Sequence, residues 1–276
     1  MHDVIRDMAI LIALSEHGHG FLVKAGWELN VWPNDADEGC SAISLKNNRI
    51  HKLPEKVDIS VLGELKELEI LSLRSSNFKE FPKEIGNLVN LRLLDLSWNS
   101  TINIIPSKVI SRLSRLEELR MQGSFGDWGS RIKGAWESNV GFDESTYLSK
   151  LNLLDVQMFD LECIWESFNA GFDELTCLSY LNILVVRIFN AECIPKAVRF
   201  LPNWEKFFIC ILRKTGDFLF SMEKFSDSDC LLVLDTTIDT LPSWFNKVVT
   251  KRAEKIIYSG CQGLNNLLAE TWDYMD

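Results

Sequence analysis

Two adjacent stretches in the middle of the chain share one spacing of apolar residues, and this spacing limits the possible folds. The first runs from Leu68 to Leu88 and the second from Leu91 to Leu113. Each opens on the spacing L-x-x-L-x-L, and in the first further apolar residues follow the opening. The last two leucines of that spacing alternate, so they point to the same side of a short strand. One such stretch cannot bury its own leucines, and it must stack on neighbouring copies.

This spacing is that of leucine-rich repeats, and it predicts an α/β leucine-rich-repeat solenoid. We expect a curved parallel β-sheet, an irregular or short helical convex side, and a short helical remnant before the first repeat. Asn99 occupies the turn of the second repeat, where its amide can satisfy buried backbone groups of adjoining coils. We interpret Asn99 as structural, and we discount glycosylation at the sequon that it begins.

The repeat pattern extends from the central pair in both directions. Upstream, a repeat begins at Cys40, and downstream a strand begins at Leu116 before regularity fails after residue 122. Residues 141–170 then recur without gaps as residues 171–200, with fifteen of thirty positions identical. Because the shared residues are mostly apolar, we expect the duplication to add one coil, and we disfavour a pair of equivalent binding sites.

Composition excludes several classes of protein. Hydrophobic residues make up 46% of the chain and charged residues 25%, which is typical of a folded protein. A net charge of -10 lacks the basic footprint of a nucleic-acid binder, and no apolar run is long enough to span a bilayer. The seven cysteines include no C-x-x-C pair, which suits reduced thiols in the cytoplasm. Zinc is not expected, because the four histidines lie far in sequence from most cysteines.

Motifs of catalysis are missing from the sequence. It contains no G-x-x-x-x-G-K-[ST] phosphate-binding loop, no G-x-S-x-G elbow, no H-E-x-x-H pair and no kinase motif. We therefore predict that the chain is not an enzyme and has no catalytic residue, metal site or functional cofactor site.

Three segments near the N-terminus match a more specific pattern. They are MHDVIRDMAILIA at residues 1–13, HGFLVKAGWELNVWP at residues 19–33 and CSAISLKNNRIHKLP at residues 40–54. In this order they resemble the junction found in plant intracellular disease-resistance proteins of the coiled-coil, nucleotide-binding, leucine-rich-repeat family. In that family the Met-His-Asp motif closes the nucleotide-binding module, and its histidine helps to hold ADP. The resemblance makes His2 and Asp3 the matching positions.

The motif begins at residue 1, which sets the expected domain organisation. By resemblance, residues 1–39 are a remnant of the end of the nucleotide-binding module, comprising the Met-His-Asp helix and a linker. Residues 40–276 form the leucine-rich-repeat domain. We expect this chain to have no nucleotide switch of its own, with ADP or ATP bound only by full-length family members.

Two functions remain open. The preferred hypothesis is a recognition module of plant defence, which binds a pathogen effector, a guarded host protein or a nucleotide-binding module through its concave repeat surface. The alternative is a non-signalling truncated or mispredicted fragment of a full-length resistance protein. Another leucine-rich-repeat adaptor, extracellular or in a ubiquitin ligase, is a weaker alternative.

Outward strand residues form the predicted partner-binding surface. Tryptophan and arginine are the residue types that most often dominate binding energy at protein interfaces. For any single position, an ordinary solvated strand residue remains the competing interpretation. The predicted surface comprises Ser44, Lys46, Ser72, Arg74, Asp95, Ser97, Trp98, Arg120, Asp155, Gln157 and Arg187.

Overall fold

The computed structural model describes residues 20–33, 39–50, 65–76, 83–100, 109–124, 148–158, 178–188, 191, 194, 196–198, 201–212, 230–234 and 241–258. The predicted helical remnant, with His2 and Asp3, lies outside these residues. So does nearly all of the predicted irregular stretch between residues 122 and 146. The chain divides into two compact units, with residues 1–125 forming most of the first and residues 152–276 most of the second.

The described part of the first unit contains five parallel strands, each paired with the next one along the chain. Short 3₁₀ helices at Lys83–Asn87 and Ile110–Arg112 lie in the connections before β4 and β5. One strand per repeat, with strand order equal to chain order, is the topology of a leucine-rich-repeat solenoid. The strands are β1 (Gly20–Val23), β2 (Cys40–Ser44), β3 (Ile70–Ser72), β4 (Leu93–Asp95) and β5 (Glu118–Arg120).

The described part of the second unit follows the same plan with five longer parallel strands. One α-helical turn at Ser243–Phe245 continues into a π-helical turn at Asn246–Thr250 before the last strand. The strands are β6 (Leu153–Met158), β7 (Ile183–Ile188), β8 (Lys206–Ile211), β9 (Cys230–Leu234) and β10 (Lys255–Tyr258). The predicted α/β solenoid fold is confirmed. The sheet begins at β1, ahead of the predicted domain start at residue 40.

The leucines of the repeat spacing form the core. Leu71 and Leu73 are fully buried on one side of the sheet, and Ser72, between them, lies on the other side, which we call the outward face. Truncating one such leucine to alanine typically costs about 2–5 kcal/mol of stability, so each repeat depends on its neighbours. The other strands repeat the alternation with buried pairs: Leu94 and Leu96, Leu119 and Met121, Leu154 and Val156, and Leu184 and Val186.

The duplicated segments stack on each other without any shift in register. Every residue of β6 pairs with its own copy in β7, from Leu153 with Ile183 to Met158 with Ile188. The asparagine that precedes each of these strands also contacts its copy: Asn182 Nδ2 donates a hydrogen bond to Asn152 Oδ1 at 2.9 Å. The duplication therefore adds one coil to the second unit, as its apolar pattern predicts.

Asn99 is buried in the turn after β4 and bonds to the backbone of two repeats. Its Nδ2 donates to the carbonyl oxygens of Leu73 at 2.8 Å and Leu96 at 2.7 Å, and its Oδ1 accepts from the amide of Ser76 at 2.9 Å. Because Asn99 and these hydrogen bonds are buried, bulk water cannot replace the asparagine, so the side chain is structural. The interpretation of Asn99 is confirmed.

In equivalent turns of the first unit, a buried side chain likewise forms hydrogen bonds with the backbone. Asn48 Nδ2 donates to the carbonyl oxygens of Lys24 at 2.7 Å and Leu45 at 2.9 Å. Ser124 Oγ accepts from the amide of Asn99 at 2.7 Å and donates to the carbonyl oxygen of Leu96 at 2.6 Å. Asparagine and serine thus alternate through four buried turn positions, which we call the turn ladder: Asn48, Ser76, Asn99 and Ser124.

We predict that Asn99→Ala lowers the free energy of unfolding by about 3 kcal/mol, because two buried carbonyl groups and one amide lose a partner. Asn90→Ala is the matched control. Its Nδ2 also donates to a backbone oxygen, that of Lys66 at 2.6 Å, but at an exposed site where water can substitute, so we expect less than about 1 kcal/mol. Urea denaturation followed by circular dichroism measures both. Equal losses would contradict the structural role of the turn ladder.

Candidate partner-binding surface

The outward face of the first unit carries polar residues in rows that run across the strands. Ser44, Ser72, Asp95 and Arg120 occupy equivalent register positions on β2 to β5. Backbone bonds extend the pairing beyond the strands, since the amide of Ser75 donates to the carbonyl oxygen of Ser97 at 2.8 Å. These four predicted surface residues therefore lie side by side in one row on the outward face.

These residues differ widely in exposure. Neighbouring parallel strands lie less than 5 Å apart, so short side chains are shielded by longer neighbours on the same face. Arg74 and Arg120 are partly exposed, and Trp98 has 40% of its surface exposed. The remaining predicted residues of this unit are buried, although they point outward: Ser44, Lys46, Ser72, Asp95 and Ser97.

The row through Asp95 is only partly satisfied by hydrogen bonds. Asp95 Oδ1 accepts from the amide of Ser97 at 3.0 Å, and Oδ2 accepts from the hydroxyl of Ser72 at 3.5 Å. Arg120 pairs with Glu118 Oε2 at 2.7 Å. Arg120 Nε and Ser44 Oγ are buried without a hydrogen-bond partner. Buried polar atoms of this kind are uncommon, and these two lie on the outward face of the first unit.

The turn after each strand of the first unit contains a residue with positive φ. Left-handed backbone is easy for glycine, tolerable for asparagine and unfavourable for bulky residues. Trp98 therefore occupies a conformation that its residue type rarely adopts. The residues three positions after the strand ends are Gly26, Asn47, Ser75, Trp98 and Gly123, with φ values of 72°, 56°, 54°, 62° and 66°, and Glu28 in the first turn also has a φ of 56°.

Gly123 supports the ring of Trp98. A Cβ atom added to Gly123 would stand 2.6 Å from Cε3 of Trp98, well inside contact distance. The amide of Trp98 also donates to the carbonyl oxygen of Gln122 at 2.7 Å. The indole is thus positioned by the next repeat while part of it stays open to solvent.

Two predicted surface residues of the second unit, Asp155 and Arg187, form an ion pair beside an aromatic ring. Arg187 Nη1 pairs with Asp155 Oδ1 at 3.3 Å, and the guanidinium lies 5.5 Å from the ring centroid of Phe208. Arg187 is buried, and its Nη2 has no hydrogen-bond partner. Gln157 pairs with Arg187 in the strand register.

An apolar cluster occupies the outward face beside Arg187. Ile257 packs against it, and its buried members are Val185, Phe208, Cys210, Leu212 and Val233. Both faces of β8 and β9 are therefore apolar. The sequence carries a signal for this in the unbroken apolar runs FFICIL and LLVL, because such runs are typical of strands buried on both faces.

A family comparison identifies the repeats independently of their geometry. Residues 42–252 match the model described as "Leucine-rich repeat region". The chain belongs to the leucine-rich repeat family. The matched range covers all strands from β3 to β9 and most of β2, in both units. The leucine-rich repeats therefore include the irregular part of the sequence after residue 122.

The chain is similar to plant disease-resistance proteins. The chain is 32% identical to "Probable disease resistance protein At1g12290" of Arabidopsis thaliana, over 58% of the chain and 19% of that protein. It is 31% identical to "Disease resistance protein UNI" of the same plant, over 59% of the chain and 17% of that protein. The chain thus matches less than a fifth of the length of these relatives. A leucine-rich repeat protein of Leptospira interrogans superposes with a TM-score of 0.45 at 18% identity, over 82% of the chain and 44% of that protein.

One polar network of the leucine-rich repeats was not predicted from the sequence. At the amino ends of the strands, Arg92 binds Glu117 through Nε at 2.9 Å and Nη2 at 3.0 Å, and it reaches Glu69 Oε2 at 3.3 Å. The hydrogen bonding of Arg92 to the carboxylate of Glu117 is the main cause that raises the pKa of Arg92 above its usual value. Glu69 and Glu117 lie 23 and 25 positions from Arg92 in the sequence. Their contacts with Arg92 could therefore be predicted only from the register in which the repeats stack.

The described ranges contain neither a metal-binding cluster nor a membrane-spanning helix. Among those residues, no group of three or more histidine, cysteine, aspartate or glutamate side chains could hold a metal ion. Within the same residues, no helix has the length and apolar character needed to cross a bilayer.

We predict that Gly123→Ala destabilises the first unit more than Gly26→Ala does. Both substitutions impose left-handed backbone on alanine, which costs about 1 kcal/mol. Only Gly123 has the Trp98 ring against it, whereas an added Cβ at Gly26 meets nothing within 4 Å. Thermal denaturation should show a lower melting temperature for Gly123→Ala. Equal melting temperatures would contradict the packing of Trp98 on Gly123.

We predict that Arg187→Met leaves stability within about 1 kcal/mol of the parent chain or raises it, because methionine suits the apolar cluster and removes a buried charge. Asp155→Ala should cost about 3 kcal/mol, because it removes the carboxylate that compensates Arg187. Chemical denaturation compares the two variants. A larger loss for Arg187→Met than for Asp155→Ala would show that the arginine itself is the stabilising partner.

Proposed function

We propose that the chain is a recognition module of plant defence, which binds a pathogen effector, a guarded host protein or the nucleotide-binding module of a resistance protein. The observation that carries this proposal is the similarity of this leucine-rich-repeat chain to disease-resistance proteins. A stacked sheet of this kind offers a broad face on which residues vary without disturbing the core, which suits recognition of proteins.

The outward face of the first unit is the best-supported location for binding. It carries partly exposed arginines and an exposed tryptophan, the residue types enriched at interface hot spots. Two of its polar atoms, Arg120 Nε and Ser44 Oγ, lack hydrogen-bond partners. In the second unit the corresponding face is an apolar cluster buried within the chain. Arg187 there is buried, so the proposed surface centres on β2 to β5.

The proposed role is contact with another protein, and it requires no catalytic residue, metal or bound nucleotide. The proposal places this contact in the cytoplasm and assigns the chain no nucleic-acid partner. Recognition by a repeat face depends on shape and hydrogen bonding at outward positions, which the first unit supplies.

A second candidate is favoured by the short match to the relatives. The chain matches 19% and 17% of two disease-resistance proteins, so its repeats correspond to one part of much longer chains. Under this candidate the repeats act inside a longer resistance protein, and their first partner is that protein's own nucleotide-binding module. Sequencing of transcripts through the upstream region distinguishes the candidates, because a continuous reading frame with a phosphate-binding loop would support the second.

We predict that the double variant Arg74→Ala, Arg120→Ala reduces association with a co-expressed nucleotide-binding module from the same species by roughly tenfold or more, since both side chains lie on the outward face. The matched control is Arg112→Ala, Arg115→Ala, which removes the same charge from exposed positions away from that face. Co-precipitation at equal expression measures both. Equal retention in the two double variants would contradict the surface assignment, provided that both melt at the parent temperature.

A further inference from the structure

Trp98 combines backbone strain with exposure at the edge of the first unit. Its φ is 62°, and 40% of its surface is open to solvent. At the four corresponding turn positions the chain has glycine, asparagine or serine, all of which are small. Glycine and asparagine are also the residue types that adopt left-handed backbone most easily. A tryptophan here costs folding stability without filling the core. A strained backbone at an exposed large residue is evidence for a role in binding.

The indole is held in one orientation by its neighbour. The position of a Cβ atom on Gly123 falls 2.6 Å from the ring, so Gly123 leaves space that the ring fills. The backbone of Trp98 is fixed to the next repeat through Gln122. A ring already in place loses little conformational freedom on binding, which is the property of aromatic anchors at interfaces.

The charge around this turn is positive, although the whole chain carries -10. Parallel strands place their carboxyl ends at the same edge of a sheet, so residues that end β1 to β5 or follow them directly share that edge. In the described part of the first unit, the acidic residues at this edge are Glu28 and the buried Asp95. The basic residues there are Lys24, Lys46, Arg49, Arg74 and Arg120.

Acidic and basic residues alternate along the opposite edge of β3 to β5. There Arg92 lies between Glu69 and Glu117 and bonds to both. Among the described residues of the first unit, basic side chains are therefore in excess at the carboxyl edge, where Trp98 lies and where Arg120 also pairs with Glu118. A cationic edge attracts and orients a segment of opposite charge.

We propose that this carboxyl edge binds an acidic segment of the protein partner, which lays an apolar side chain on the exposed indole of Trp98 and directs carboxylates toward Arg74 and Arg120. This inference rests on the proposed recognition function and names the chemistry of the partner. The apolar contact with Trp98 is the anchor, and the basic residues select for aspartate and glutamate.

Two libraries of displayed peptides, panned on the full chain, test this proposal. One library mixes apolar residues with aspartate and glutamate, and the other replaces these acids with asparagine and glutamine. We expect the acidic library to yield binders whose affinity falls by roughly tenfold or more in Trp98→Asn and weakens with added salt. Asparagine is chosen because Asn47 adopts the same backbone conformation. Tyr180→Asn, which removes an exposed aromatic ring from the second unit, should leave affinity unchanged.

Stability separates loss of binding from loss of folding. Relief of the strained backbone should give Trp98→Asn a melting temperature equal to or above that of the parent chain. Peptides that bind Trp98→Asn as tightly as the parent chain would overturn the proposal. Equal yield from the amide library, or no binder from either library, would do the same. The peptide experiment does not test co-precipitation with the nucleotide-binding module. The acidic-segment proposal can therefore fail while the proposed recognition function is supported.

Discussion

Hydrogen bonds from buried side chains to the turns of neighbouring repeats are the constraint on which the first unit depends. Asn99 bonds backbone groups of both its own repeat and the one before it. Without such a side chain, each turn would bury carbonyl and amide groups that water cannot reach. The turn ladder therefore fixes how each coil closes, and through this closure it sets the strand register on which the outward rows depend.

The turn ladder also accounts for the unusual backbone beside it. Each ladder residue follows directly after a residue of positive φ, so the left-handed position recurs wherever a ladder side chain enters the core. At most of these positions the residue is small. At Trp98 the same left-handed backbone carries a large ring that is partly exposed to solvent. The conformation that closes the turn thus also positions the exposed indole.

The two units show how one backbone plan yields two kinds of face. In the first unit the outward rows are polar, with Arg74, Arg120 and Trp98 accessible. In the second unit longer strands carry apolar residues on both sides, and Phe208 and Val233 turn the outward face into a second core. The pairing of Asp155 with Arg187 then maintains charge balance inside that core. The proposed recognition surface therefore lies on the first unit, whereas the outward face of the second unit is packed with apolar side chains.

Much of the fold follows from local sequence pattern. The leucine spacing predicts the alternation of Leu71 and Leu73, the thirty-residue duplication predicts the pairing of Leu154 with Leu184, and the turn position predicts the role of Asn99. Contacts between repeats are harder to predict, because Arg92 and Glu117 meet only through the register. Burial of Ser44 and Asp95 on the outward face, and the strain at Trp98, depend on neighbours that one strand does not contain.

Amide hydrogen exchange of the free chain tests the turn ladder most directly. The amide of Ser76 donates to Asn99 Oδ1, and the amide of Asn99 donates to Ser124 Oγ, both in buried surroundings. The account predicts that these two amides exchange as slowly as the core strand amides of Leu71 and Leu94, through unfolding of the whole unit. Exchange at the rate of an unstructured peptide, while the strand amides stay protected, would contradict it.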